Sequence, residues 1–270
     1  MASKITSSGY IDSPSGRLFF EREGSPEGAS ILFIHGLGGT TNAYQMLVPE
    51  LQDFDLVRFD WAGHGRSSVP STPTSIESYV EDCEAVINSL KLTRVIAVGH
   101  SLGGLIALHL ASKQPQLISS LVLFGPVRPP PPAGQTGLKA RGSLVRKDGM
   151  VAVADTVVAN AFAAESYVSR RAQVTLAREL LTRQDPEGYA LAVEALAASS
   201  LPAWEPLRGK RILILSGSED KVSTVEAGQG SVKDIGSEAE QKVLQGVGHW
   251  HMLEDATASV QAIREIASLG

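Results

Sequence analysis

One cysteine, Cys83, is the whole thiol content of the chain, so no intrachain disulfide can form and packing alone must hold the fold. It sits in Tyr79-Val80-Glu81-Asp82-Cys83-Glu84-Ala85-Val86-Ile87, whose helical apolar spacing makes it a core filler rather than a nucleophile. Long apolar runs are also missing. No segment approaches the length of a membrane span, and Met1–Ser8 lacks the apolar run of a signal peptide, so the expectation is a cytoplasmic protein. The final residues, Ser268-Leu269-Gly270, are not a peroxisomal tripeptide. Nor is there an excess of base: 24 Lys and Arg against 29 Asp and Glu give a net charge of -5. With no local basic patch either, nucleic acid and anionic membranes are poor partners, and a small neutral or apolar molecule fits better. Repeats and low-complexity tracts are absent.

What the chain does have is length and apolar content. At 270 residues and 43% hydrophobic, it can bury a full core, and one domain with an insertion is expected. Arg17–Glu21 reads as an edge strand and Ile31–His35 as a buried one, followed by the glycine cluster Gly36-Leu37-Gly38-Gly39 and a helical segment, 41–51. Phe54–Asp60 is a third strand, leading into the glycine-punctuated loop Asp60–Ser68; an acid at the head of such a turn serves chiefly to accept its backbone N–H groups. A helix over 75–90, a central strand from Thr93 and a strand over 119–124 follow.

The polyproline break Val127–Pro132 then interrupts the alternation, and residues up to about Ser200 show helical periodicity with almost no strand signal. Helices are expected over 144–162, 166–184 and 186–199, the last with Asp185 as N-cap and Pro186 at the first helical position. Three helices without an intervening strand suggest a lid. Strand signals return at 210–216 and 241–244, and a helix over 255–269 closes the chain. The expectation is an α/β fold: a mostly parallel, doubly wound sheet of residues 1–126 and 207–270 with a helical lid inserted as residues 127–206.

The stretch with the strongest chemical signal is Val95-Ile96-Ala97-Val98-Gly99-His100-Ser101-Leu102-Gly103-Gly104, a β-branched strand that breaks at glycine and resumes as a helix. Gly-x-Ser-x-Gly at such a break holds a serine hydroxyl above the sheet, with the new helix aiming its first N–H groups at the same spot. A capping serine in an ordinary strand-turn-helix would look similar. Ligands of a parallel sheet bind at the carboxyl ends of its strands, and three polar residues stand in the loops there: Ser101, Asp220 and His249.

Their order, with His35-Gly36-Leu37-Gly38-Gly39, Asp60–Ser67, Gly217-Ser218-Glu219-Asp220 and Gly248-His249, resembles the α/β-hydrolase superfamily over nearly the full chain. That resemblance implies Ser101 as nucleophile, His249 as general base and Asp220 as the acid that orients it. It also implies an oxyanion hole from the backbone N–H groups of Leu37 and Leu102, and no metal or organic cofactor is needed. Trp61, His100 and Trp250 are the candidates to line the pocket, the two tryptophans being core residues otherwise. His251 and Glu219 are the rivals of His249 and Asp220. A serine at 101 disfavours the dehalogenases and epoxide hydrolases of this fold, which carry aspartate there. The lid and the stretch from Gly188-Tyr189 to Asp220 are most similar to the 3-oxoadipate enol-lactonase group and neighbouring small-ester hydrolases. The expected activity is therefore serine-dependent hydrolysis of a small carboxylic ester or lactone. Carbon–carbon bond hydrolysis, amide hydrolysis and slow-turnover small-molecule reception remain open on the same residues.

Overall fold

The structure, a computed structural model, describes residues 5–268. Met1–Lys4 and the expected final helical residue Leu269 lie outside the described residues. The chain begins with β1 (Ile5–Ser13), β2 (Gly16–Gly24), β3 (Ser30–Ile34), β4 (Asp55–Phe59), α1 (Ile76–Ser89), β5 (Val95–His100), α2 (Leu102–Lys113) and β6 (Ile118–Phe124). Five helices follow: α3 (Pro132–Asp148), α4 (Val151–Ala161), α5 (Ser166–Ser169), α6 (Arg171–Thr182) and α7 (Pro186–Ala197). The sheet resumes with β7 (Arg211–Gly217), α8 (Val225–Ile235), β8 (Ala239–Leu244), α9 (His251–Glu254) and α10 (Ala256–Ser268).

Among the described residues, eight strands form one sheet in the order β1-β2-β4-β3-β5-β6-β7-β8. Only β2 runs against the others. The chain leaves β3 for β4 on one side and returns to β5 on the other, which opens a crevice above the carboxyl ends of β3 and β5. Both strands are apolar because helices cover both faces of the sheet; all six residues of β5 are buried. Cys83 is fully buried against this core.

Several expectations change. The edge strand is β1, not β2; its polar ITSSGYIDS sequence has no apolar alternation to announce it. Residues 41–51 form two short 3₁₀ turns, Thr41–Tyr44 and Val48–Glu50, rather than a helix. The helix expected over 144–162 is two. α3 starts directly on the proline run, with Pro132 in the first turn where no N–H is needed, and it ends at Gly149, whose φ of +75° only glycine adopts without strain. The helix expected over 166–184 breaks at Arg170 (φ -128°, ψ 40°), giving α5 and α6. α8 has no counterpart in the sequence reading; the closing helix is α10, as expected, and the short α9 before it was not foreseen.

α7 follows expectation: Asp185 caps it by accepting from the N–H groups of Glu187 and Gly188 at 2.8 and 3.1 Å. Nine of its residues are buried. α7 packs chiefly against α3; its Ala192, Ala195 and Leu196 belong to the apolar cluster that includes α2, while Tyr189 and Val193 belong to the one that includes residues of α4 and α6. Each large apolar side chain so buried is worth roughly 1.5–3 kcal/mol, so the inserted helices share the core of the sheet they cover.

Candidate active site

Ser101 stands between β5 and α2 with φ 54° and ψ -119°, a conformation that costs a non-glycine residue on the order of 1–3 kcal/mol. The turn is possible because the strand and helix touch through glycine. A Cβ on Gly99 would lie 2.7 Å from Gly104 Cα, closer than two carbons can approach. Ser101 N–H donates to Phe124 O at 2.9 Å, tying the turn to the neighbouring strand. Leu102 opens α2, so its N–H has no intrahelical acceptor. Neither it nor the Leu37 N–H donates to any acceptor among the described residues.

Asp220 and His249 meet from the loops after β7 and β8. His249 Nδ1–H donates to Asp220 Oδ2 at 2.8 Å. The other carboxylate oxygen accepts the N–H groups of Val222 and Ser223, each at 2.8 Å, so the acid is clamped from both sides. Burial alone would raise the Asp220 carboxyl; the charge and hydrogen bond of His249, with smaller help from His251 and the Ser223 N–H, outweigh it and leave Asp220 below the usual range. Gly125, which sequence reasoning overlooked, makes room for the pair: a Cβ there would lie 2.9 Å from Asp220 Oδ2 and 3.2 Å from His249 Nδ1, and its φ is +50°. A glycine at the carboxyl end of a buried strand was the signal available.

His249 is also held through its backbone. Its N–H donates to Ala161 O at 2.7 Å, and its carbonyl accepts from His100 Nε2 and His251 Nδ1, both at 2.9 Å. A carbonyl only accepts, so His100 carries its proton on Nε2 and His251 on Nδ1. Burial lowers both imidazoles, His251 to about 4, which keeps them neutral at physiological pH. Of the two imidazoles it is His249 that bonds Asp220, while His251 bonds the His249 backbone. Glu219 is exposed and accepts from Ala164 N at 3.1 Å, away from the imidazole. No hydrogen bond joins His249 to the Ser101 hydroxyl; in sites without substrate such contacts are commonly long and tighten on binding.

Ser101, His249, Leu37, His100 and Trp250 all line one cavity of about 680 Å³, roofed by α3 and α4. Trp61 is a correction. It is only 1% exposed and does not border the cavity, because its indole is stacked on His64 at 4.6 Å and edged by Tyr79 at 4.4 Å. It braces the loop behind Leu37 instead. That loop has other supports: His64 Nε2 accepts from Gly38 N at 3.2 Å, and Asp60 accepts from Thr41 N at 2.6 Å and Arg66 N at 2.9 Å. Gln184 donates to Gly38 O and Gly39 O at 3.1 and 3.2 Å and accepts from Gly65 N at 3.0 Å. Nothing in the periodicity of 166–184 distinguished this glutamine from a solvated one.

A family model described as the alpha/beta hydrolase fold matches residues 29–169. The 3-oxoadipate enol-lactonase 2 of Acinetobacter baylyi is 27% identical over 211 residues, 76% of this chain and 77% of that protein. Among solved structures, the enol-lactonase from Burkholderia xenovorans aligns with a TM-score of 0.89 at 25% identity, over 96% of this chain and 100% of that one. A thermophilic esterase from Thermogutta terrifontis aligns with a TM-score of 0.88 at 22% identity, over 96% and 97% of the two chains.

Proposed function

The chain belongs to the alpha/beta hydrolase family, and on that premise we propose that it is a serine hydrolase that cleaves a small carboxylic ester or lactone through an acyl-enzyme intermediate. The observation that carries the reading is the Asp220–His249 hydrogen bond of 2.8 Å at a cavity wall shared with Ser101. The relatives named enol-lactonase favour the same bond type.

In this mechanism Ser101 Oγ attacks the carbonyl carbon while His249 Nε2 takes the hydroxyl proton. The carbonyl oxygen becomes an oxyanion facing the N–H groups of Leu37 and Leu102, each such donor being worth about 3 kcal/mol to the barrier. The tetrahedral intermediate collapses, the C–O bond breaks, and the imidazolium returns its proton to the leaving oxygen. Water then attacks the acyl-enzyme with His249 again as base, releasing the acid and restoring Ser101. For a lactone the leaving oxygen stays within the product, which is a hydroxy acid or, from an enol lactone, an enol that tautomerises to the keto acid. Asp220 holds the Nδ1–H tautomer and offsets the imidazolium charge. No step calls for a metal or organic cofactor.

Short-chain p-nitrophenyl esters test the proposal. Multiple turnovers, abolished in Ser101→Ala, are expected of a hydrolase. One stoichiometric burst would instead mark a slow small-molecule receptor, and turnover of diketones or amides without esters would move the reaction to carbon–carbon or amide bonds.

A further inference from the structure

The mechanism leaves one buried carboxylate without a task. Glu254 ends α9, the single turn that follows His249 and Trp250, and it is only 4% exposed. Three donors converge on it. Its Oε2 accepts the N–H of Gly248, the residue before His249, at 2.8 Å. Its Oε1 accepts the Ala163 N–H at 2.8 Å and the Ser166 hydroxyl at 2.7 Å, both from the stretch of the inserted helices where α4 gives way to α5. Among the described residues no cation pairs with this carboxylate; Arg170 Nη1 reaches only the Ser166 oxygen, at 3.3 Å. Burial pushes the Glu254 carboxyl up, and the three donors with the Arg170 charge draw it only part of the way back. A carboxylate kept in so unfavourable a place calls for a reason.

The two strips of backbone that Glu254 joins are already in contact. His249 N–H donates to Ala161 O at 2.7 Å, and a Cβ on Gly248 would stand 2.6 Å from Ala163 N and 2.8 Å from Ala161 O, so only glycine permits the approach. Phe162 lies parallel to Trp250, with ring centroids 6.3 Å apart. Upstream, α4 roofs the cavity with Val153, Val157 and Ala161. Among the described residues the Gly248 and Ala163 N–H groups have no acceptor besides Glu254. His249 is thus fixed twice: Asp220 holds its ring, and the 161–166 stretch holds its backbone.

We propose that Glu254 is a positioning residue for His249, joining the 161–166 stretch of the inserted helices to the Gly248-His249 backbone so that the imidazole keeps its place between Asp220 and Ser101. A carboxylate suits the task because it only accepts, and every group that meets it here donates. The amide of a glutamine would turn a donor toward either Gly248 N or Ala163 N, so one of the two strips must move. The effect on turnover rests on the hydrolase reading, whereas the effect on His249 can be read in the resting protein.

Glu254→Gln is compared with wild type in p-nitrophenyl acetate hydrolysis and by proton NMR of the resting protein, with circular dichroism reporting the fold. The NMR signal is the downfield Nδ1–H resonance of the Asp220–His249 bond, identified by its absence in His249→Ala. The variant should lower kcat about 10- to 100-fold, the scale for displacing a reacting group by about 1 Å, with KM within about twofold of wild type and the resonance shifted or lost. Ser166→Ala removes one donor and touches no group of the proposed mechanism, and should lower kcat about two- to fivefold with a smaller shift. A rise in KM with kcat kept would show that Glu254 merely holds the cavity roof, and it overturns the proposal. So does a fall in kcat with the resonance unmoved, since the loss would not then pass through His249. If Glu254→Gln does not fold, Ser166→Ala decides, and its equality with wild type in both readouts overturns the proposal. A shifted resonance in a protein whose wild type turns over no ester would sink the hydrolase reading and leave the positioning role standing.

Discussion

Two buried aspartates, Asp60 after β4 and Asp220 after β7, follow parallel strands and accept two backbone N–H bonds each, yet their carboxyls shift in opposite directions. Asp60 binds the Thr41 and Arg66 N–H groups and is pushed up by burial to about 6. Asp220 binds the Val222 and Ser223 N–H groups and ends below the usual range because an imidazole stands against its free oxygen. Backbone donors are common to both, so it is the facing His249 that separates a scaffold acid from one fit to orient a base. The same residue type in the same kind of loop thus does two jobs. One braces the Leu37 loop and the other holds the imidazole.

The largest expected effect breaks the pair at its functional end. Asp220→Asn should keep the fold and lower kcat by up to about 10⁴-fold, through loss of the correct imidazole tautomer. Steady-state kinetics with a p-nitrophenyl ester checks it. Glu219→Gln should have little effect, because that side chain does not touch His249. A larger loss in Glu219→Gln would reassign the acid.

Next comes the turn that carries Ser101. Gly99→Ala brings a Cβ to 2.7 Å from Gly104 Cα, so strand and helix must separate. Overpacking of this kind costs about 1–3 kcal/mol, and the small displacement of the serine should reduce kcat roughly 10²-fold. Thermal unfolding and kcat should therefore fall together.

The scaffold acid predicts a pH effect. Its folded pKa of about 6 lies above the unfolded carboxyl value, so below the unfolded pKa both states are protonated and Asp60 imposes no cost. As pH rises from about 4 to about 6 the unfolded state ionises first, and Asp60 lowers stability by about 3 kcal/mol across that window. Asp82, also raised by burial to about 6, acts in the same direction. Denaturant unfolding of Asp60→Asn should show a flatter pH slope there than wild type. An equal slope would remove Asp60 as a source. Asp220, held low, contributes the other way: its stabilisation is present above the unfolded carboxyl pKa and is lost as pH falls through the folded value.

The smallest effect concerns the clamp on the His249 carbonyl. His251→Gln removes one of its two imidazole donors, with a net cost of about 1 kcal/mol, and should lower kcat roughly five- to tenfold with little change in KM. Its pH profile should keep the wild-type shape, because a residue neutral throughout supplies position and not a proton. A new inflection would make His251 a participant.

These residues also show what sequence can convey. Ser101, Asp220 and His249 were legible because each lies at or after the carboxyl end of a strand with a glycine within three positions, a local pattern that a parallel sheet converts into convergence. Trp61 misled because its place after β4 says nothing about which way the indole turns; His35, His64 and Tyr79 surround it on the core side. Gln184 was invisible for a related reason. Its meaning lies in how the end of α6 sits over the Gly38 loop, after a break at Arg170 which apolar periodicity runs straight through. β1 was missed because a polar edge strand draws its pairing from its neighbour's backbone and not from alternation of its own side chains.

The central proposal, an acyl-enzyme on Ser101, is tested most directly by covalent labelling. A fluorophosphonate should modify the protein once, peptide mass spectrometry should find the adduct on Ser101, and Ser101→Ala should take up no label. An adduct on another residue, or near-normal ester turnover by unlabelled Ser101→Ala, would contradict it.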